Sequence, residues 1–235
     1  MHLLVVGTPR SGTTLLTCLI GAHQNCIMMG ECFSAEEHKI VSPAKVIGNK
    51  LCAPNQVQFN HPPPRVSLLR LPHRILQGLV ALIPGAPSKN LPLGRLSIQR
   101  YVQDRDARLV FIVRAPGQVV ESMQRRDGYH VEEALSRWAR GMREMHRAFD
   151  AFGDRSHVAR FKSLVEFPER VMQDVSEFLG LEYAPSMLEG YENTPQYERG
   201  RIDPEAARGS PETHRIEERV PKAVRRYRVL RERAT

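Results

Sequence analysis

The stretch Leu3-Leu4-Val5-Val6-Gly7-Thr8-Pro9-Arg10-Ser11-Gly12-Thr13-Thr14 decides the fold. Four apolar residues without polar alternation read as a strand buried on both faces, the habit of parallel sheets. Gly7 to Gly12 form a loop. Thr13 to Ala22 then place Leu15, Leu16, Leu19 and Ile20 on one face of a helix. A glycine loop between a strand and a helix turns backbone N–H groups inward. The helix N-terminus adds partial positive charge at the same point. Such a loop is built to hold an anion.

The same rhythm recurs along the chain. Cys26-Ile27-Met28-Met29 reads as a sheet strand, and Leu109 to Val113 as another that ends at Arg114. Helices are expected from Pro116 to Arg126 and from Val131 to Phe152. A strand at His157 to Phe161 and a helix at Glu166 to Leu179, closed by Gly180, complete the series. The alternation predicts one α/β domain over residues 1–235, with a mostly parallel central sheet between two layers of helices. Two regions break the pattern. Residues 60–96 are proline-rich, and within them Leu68 to Ile83 is apolar with Arg70, His73 and Arg74 interspersed. We read this region as a helical insert, a lid or acceptor pocket; the alternative is a membrane-surface helix. The tail, 199–235, is polar until Val220 to Leu230 and reads as a loop followed by a terminal helix.

Composition bounds the rest. Hydrophobic residues make up 41% of the 235 and charged residues 26%, the balance of a globular chain. The net charge of +8, mostly arginine, favours an anionic partner without naming it. No apolar run reaches the roughly 18 residues of a membrane span, and no basic and apolar leader opens the sequence. Cys18, Cys26, Cys32 and Cys52 form no C-x-x-C pair. Reduced thiols in a cytoplasmic protein are expected, with no metal site.

The loop has the spacing G-x-x-x-x-G-K-[ST], but Thr13 stands where the lysine belongs and the loop's charge sits on Arg10. A nucleoside triphosphate needs that lysine and Mg²⁺. A monoanionic sulfuryl donor needs less charge, and the hydroxyls of Ser11, Thr13 and Thr14 with one arginine supply it. Arg114 closes a buried strand, where ligands of open α/β sheets gather. Ser122 and Arg126, four residues apart, share a face of the next helix. Together they form a clamp for a second phosphate.

Pro9-Arg10-Ser11-Gly12-Thr13-Thr14-Leu15 resembles the 5′-phosphosulfate loop of the PAPS-dependent sulfotransferases. Arg114 followed by Ser122 resembles their 3′-phosphate motif, and Arg126 falls where the tyrosylprotein branch also has arginine. Ala115 replaces the aspartate the family often carries. Arg160-Phe161-Lys162-Ser163-Leu164 and Phe178-Leu179-Gly180-Leu181 resemble a later stretch, with Phe161 in place of the usual tyrosine. The motif style is closest to the bacterial carbohydrate and tyrosylprotein members, and the likeness covers most of Met1 to Leu181. It implies a P-loop-like sulfotransferase fold that binds PAPS and releases PAP without a metal. Arg10, Ser11, Gly12, Thr13, Thr14, Arg114, Ser122 and Arg126 then hold the donor. Glu31, in Gly30-Glu31, is implied as the base, with His23 as its competitor. Lys50, in Gly48-Asn49-Lys50, is implied as the lysine that faces the leaving oxygen, with Arg10 implied to share the role.

The acceptor implied is a hydroxyl of a carbohydrate, glycolipid or small natural product. Nucleic acid is not expected as a partner, and peripheral membrane contact enters only if the acceptor is a lipid. Two other functions compete. One is a small-molecule kinase on the same loop, disfavoured by the missing lysine and by the lack of a strand-end aspartate for Mg²⁺. The other is a non-catalytic basic module that binds an acidic polymer or lipid.

Overall fold

A computed structural model describes residues 1–31, 43–60, 96–190, 192, 216 and 218–234. Most of the insert at 60–96 and much of the tail lie outside them. The elements in chain order are β1 (His2–Gly7), α1 (Thr13–Gly21), β2 (Cys26–Gly30), β3 (Val46–Cys52), β4 (Val57–Gln58) and β5 (Leu96–Ser97). They continue with α2 (Ile98–Arg105), β6 (Arg108–Val113), α3 (Pro116–Asp127), α4 (Val131–Phe152) and β7 (Ser156–Arg160). The last are α5 (Phe161–Glu166), α6 (Pro168–Leu179) and α7 (Pro221–Glu232).

Five strands pair in parallel in the order β2-β3-β1-β6-β7, and β4 with β5 forms a separate two-stranded ribbon. The strand β1 lies at the centre. Its Gly7 is level with Cys52 of β3 on one side and Ile112 of β6 on the other. Side chains alternate across the sheet. Leu3 and Val5 of β1, with Val110 and Ile112 of β6, face a core shared with α1, α5 and α6. Leu4, Val6, Leu109 and Phe111 face the opposite core, shared with α3, α4 and α7. These are the three layers expected from the alternation of strands and helices. No helix among the described residues is long and apolar enough to cross a membrane.

Some boundaries differ from the sequence reading, for physical reasons. Phe161 does not end the strand read at His157 to Phe161; it opens α5, and its ring is buried. The helix expected from Glu166 is divided at Phe167, because Pro168 has no N–H to continue α5 and pushes the residue before it out of helical geometry. Phe167 sits at φ −136°, ψ 57°. The strand β3 was not anticipated at all. Its sequence, Val-Ile-Gly-Asn-Lys-Leu-Cys, carries an asparagine and a lysine inside a segment that is almost wholly buried. The helix α2 and the short β4 and β5 were likewise not anticipated. The expected terminal helix is present as α7.

Trp138 of α4 is fully buried, and its ring lies 6.1 Å from that of Tyr227 on α7. It pins the last helix to the sheet. Trp138→Ala should cost about 3–5 kcal/mol of unfolding free energy, read as a lower urea midpoint. An unchanged midpoint would mean that α7 is not packed on this core.

Candidate functional site

The carboxyl ends of β1, β3 and β6 carry the phosphate-loop candidates. Arg10 has φ 67° and Gly12 φ 99°, both left-handed. These turns curl the loop back on itself, and a loop of this kind directs amide N–H groups into a common concavity. Ser11 N–H and Ser11 Oγ both donate to the Thr8 carbonyl, at 3.1 and 2.7 Å, which locks the curl. Gly12 must be glycine. A Cβ there would lie 2.4 Å from the Phe161 ring in a conformation that L-residues avoid. The first-turn N–H groups of α1, from Thr13 onward, have no intrahelical acceptor. Thr8 Oγ1 is buried without a hydrogen-bond partner.

Period two along the strands sends Lys50 and Cys52 of β3 to the same face as α1. Lys50 is buried, and its ammonium reaches Glu31 Oε1 at 2.5 Å. Glu31 follows β2 directly, at φ 58°, and its N–H donates to the Lys50 carbonyl at 2.9 Å. Parallel pairing of β2 with β3 sets Gly30 opposite Lys50, so a backbone and a side-chain contact join the same two residues. Burial pushes the Glu31 carboxyl up. The Lys50 hydrogen bond and charge, with a hydrogen bond from Gln56, outweigh it and hold the group below its ordinary range. Gln56 is itself fixed, since its Oε1 accepts from the Cys52 N–H at 2.7 Å. The Cys52 sulfur sits 3.8 Å from Thr13 Oγ1, and burial raises its thiol pKa and keeps it protonated.

Arg114 leaves the end of β6 and turns toward the loop. Its Nη1 donates to the Arg10 carbonyl at 3.0 Å, its Nε reaches Gln118 Oε1 at 3.4 Å, and its guanidinium stacks 4.2 Å from the centre of the Phe161 ring. An aromatic face is a good seat for a guanidinium. The Phe161 ring thus serves both Gly12 and Arg114. On α3, Ser122 is buried and Arg126 is exposed, one turn apart. The Arg10 side chain does not point freely into the cleft. It pairs with Asp127 at the end of α3, with Nε 2.9 Å from Oδ2.

The structure therefore brings Arg10, Ser11, Gly12, Thr13, Thr14, Glu31, Lys50 and Arg114 to one edge of the sheet. His23 is elsewhere. It sits past the far end of α1, roughly 13 Å of helix from the loop, with Nδ1 accepting from the Asn25 N–H at 3.0 Å and Nε2 3.0 Å from the Glu182 carbonyl oxygen. These contacts tie the turn after α1 to the segment at Glu182 and hold His23 away from the loop. Four participants were not read from the sequence: Gln56, Gln118, Asp127 and Gly141. Gly141, in the middle of α4, lets that helix touch the loop, since a Cβ there would meet Thr8 Cγ2 at 2.5 Å and the Ala53 carbonyl oxygen at 2.7 Å. A glycine inside an amphipathic helix was the one available signal.

Residues 105–185 match the sulfotransferase family. Solved structures to which the chain is similar include three sulfotransferases. One is a sulfotransferase domain from the curacin biosynthetic pathway, at 17% identity and TM-score 0.51 over 93% of this chain and 96% of that one. Another is the sulfotransferase domain of the Synechococcus PCC 7002 olefin synthase, at 20% and 0.51 over 92% and 93%. The third is the mouse sulfotransferase SULT7A1 complexed with PAP, at 12% and 0.56 over 99% and 89%. The fold is that of a sulfotransferase. No curated protein matches the chain. The matched segment contains Arg114, Ser122, Arg126 and Phe161, while the loop, Glu31 and Lys50 lie before it. The resemblance read from the motifs is thus supported by the sulfotransferase-family segment and by the whole-chain fold.

The Glu31–Lys50 pair sets a pH dependence. A carboxyl whose folded pKa is depressed adds stability above its unfolded value, and that stability is lost as pH falls through the folded value. Glu31→Gln should therefore lower the urea midpoint at pH 7, and the gap from the parent should close as pH drops below the ordinary carboxylate range. A gap that is constant with pH would show that the pair is not formed.

Proposed function

We propose that this protein transfers the sulfuryl group of PAPS to an acceptor hydroxyl by in-line displacement, with Glu31 as base and Lys50 on the leaving oxygen. The observation that carries the reading is the position of Lys50. The loop lacks its lysine, and a buried lysine comes instead from the neighbouring strand, 2.5 Å from a carboxylate. The pairing suits one transfer. The acceptor oxygen attacks sulfur while the S–O bond to the donor's 5′-phosphate breaks. The acceptor proton passes to Glu31, and the electron pair goes to the phosphate oxygen. A base must be ionised before it acts, and Lys50 holds Glu31 so. As the proton arrives, Lys50 loses its reason to stay on Glu31, and its charge is free to stabilise the leaving oxygen.

The loop amides and the Ser11, Thr13 and Thr14 hydroxyls are assigned to the 5′ end of the donor. Arg114, Ser122 and Arg126 are assigned to its 3′-phosphate. Arg10 adds charge to the cleft after exchanging Asp127 for the ligand. The PAP bound to the mouse relative supports the choice of donor. The acceptor is a small-molecule or carbohydrate hydroxyl, and no metal is required.

Two measurements test the assignments. Arg114→Ala should weaken PAP by about 1.5–3 kcal/mol more than it weakens AMP, the worth of a hydrogen bond to a charged group. Equal weakening of both would show that Arg114 does not read the 3′-phosphate. Glu31→Gln should lower kcat on an unactivated alcohol by about 10²–10⁴-fold and cost less on a nitrophenol, which needs no strong base. Lys50→Ala should slow both acceptors, because the leaving group is the same. Full activity of Glu31→Gln on the alcohol would remove Glu31 from the base role.

A further inference from the structure

The longest helix, α4, separates two different surfaces. Gly141 faces the phosphate loop, whereas Arg140 and Arg143 face away from it, into a groove of about 620 Å³ between α4 and the start of α7. The opposite wall carries Arg219, Lys222 and Arg226. Among the described residues, five cationic side chains thus line the groove, against a single carboxylate, Glu132. Glu132 is paired with Arg219, and Arg143 with Glu144. Among the described residues no carboxylate pairs with Arg140, Lys222 or Arg226. Collecting cations in a concavity costs mutual repulsion, and a bound polyanion relieves it.

We propose that this groove binds an anionic polysaccharide chain, at a site separate from the donor cleft. Three features favour that occupant. The charges stand on both walls, one helical turn apart on each: Arg140 and Arg143 on α4, Lys222 and Arg226 on α7. A chain with regularly spaced acidic groups meets both rows. The surface between them is apolar and small, formed by Ala139, Val220 and Pro221, which suits the C–H faces of sugar rings. The groove is also concave, and among the described residues the exposed large hydrophobic side chains are Met1 and Phe167, neither on α4 or α7. A bilayer surface would reach only the rims and find no apolar anchor, and single-stranded nucleic acid would find no exposed aromatic for its bases. The proposal does not depend on the transfer chemistry assigned to the cleft.

The test is fluorescence anisotropy with the full chain and fluorescein-labelled dextran sulfate, with neutral dextran as a blank. Arg140→Glu with Arg226→Glu should weaken binding by at least about tenfold. Arg170→Glu, a charge reversal on α6 across the sheet, should stay within about twofold. Saturating PAP should not displace the probe. Arg140→Gln with Lys222→Gln, both exposed positions, provides a gentler variant if the first does not fold, and should weaken binding in the same direction. Parental affinity in the folded variants overturns the proposal, as does displacement by PAP or an equal loss for Arg170→Glu. Phosphatidylserine vesicles or a labelled oligonucleotide binding as tightly, with the same dependence on the groove arginines, would assign the surface to a membrane or a nucleic acid and overturn it too.

Discussion

Everything at the candidate site depends on β1 being hydrogen-bonded on both sides by parallel strands. Gly7, where β1 ends, is held level with Cys52 and Ile112. That register fixes three things at once. It starts the loop at the sheet edge, puts the Lys50 side chain two residues short of that edge, and releases Arg114 two residues beyond Ile112. A slip of one residue in either pairing would send Lys50 or Arg114 to the opposite face. The apolar contacts that prevent the slip are those of Leu3 and Val5 with α1 and of Leu4 and Val6 with α4's side of the sheet. Site geometry and core packing are therefore one problem, solved by the same residues.

The second constraint is close approach. The loop can curl only because Gly12 takes a left-handed conformation beneath the Phe161 ring, and α4 can support it only because Gly141 has no side chain. Phe161 is the shared element. It closes the loop from below and carries Arg114 on its face. Charge in the cleft is handled by pairing. Lys50 with Glu31 and Arg10 with Asp127 each keep a cation in place with a carboxylate that a polyanionic ligand would compete with.

Much of this was legible in the sequence. The run Leu3 to Val6, the glycine loop and the Leu15, Leu16, Leu19 and Ile20 face specified a strand, a loop and a helix by periodicity alone, and the α4 range emerged as read. Glu31 and Lys50 were each expected near the phosphate loop from a family likeness, but their direct contact and the strand that makes it happen were not. Periodicity cannot reveal β3, because a buried lysine and asparagine interrupt its apolar pattern for the sake of the site. Gln56 and Asp127 were illegible for a different reason. Their parts depend on contacts with residues distant in the chain, as Asp127 with Arg10, and no local spacing announces such contacts. The break at Pro168 was legible in principle, since proline forbids the continuous helix that hydrophobic spacing suggests.

The cleft is proposed to be shaped for a 3′-phosphorylated adenosine donor rather than a nucleoside triphosphate. A calorimetric titration in EDTA tests it directly. The account predicts that PAP binds in a one-to-one complex with the metal removed, and that ATP with Mg²⁺ binds far more weakly. Tight binding of Mg²⁺ and ATP, with no heat from PAP, would contradict it.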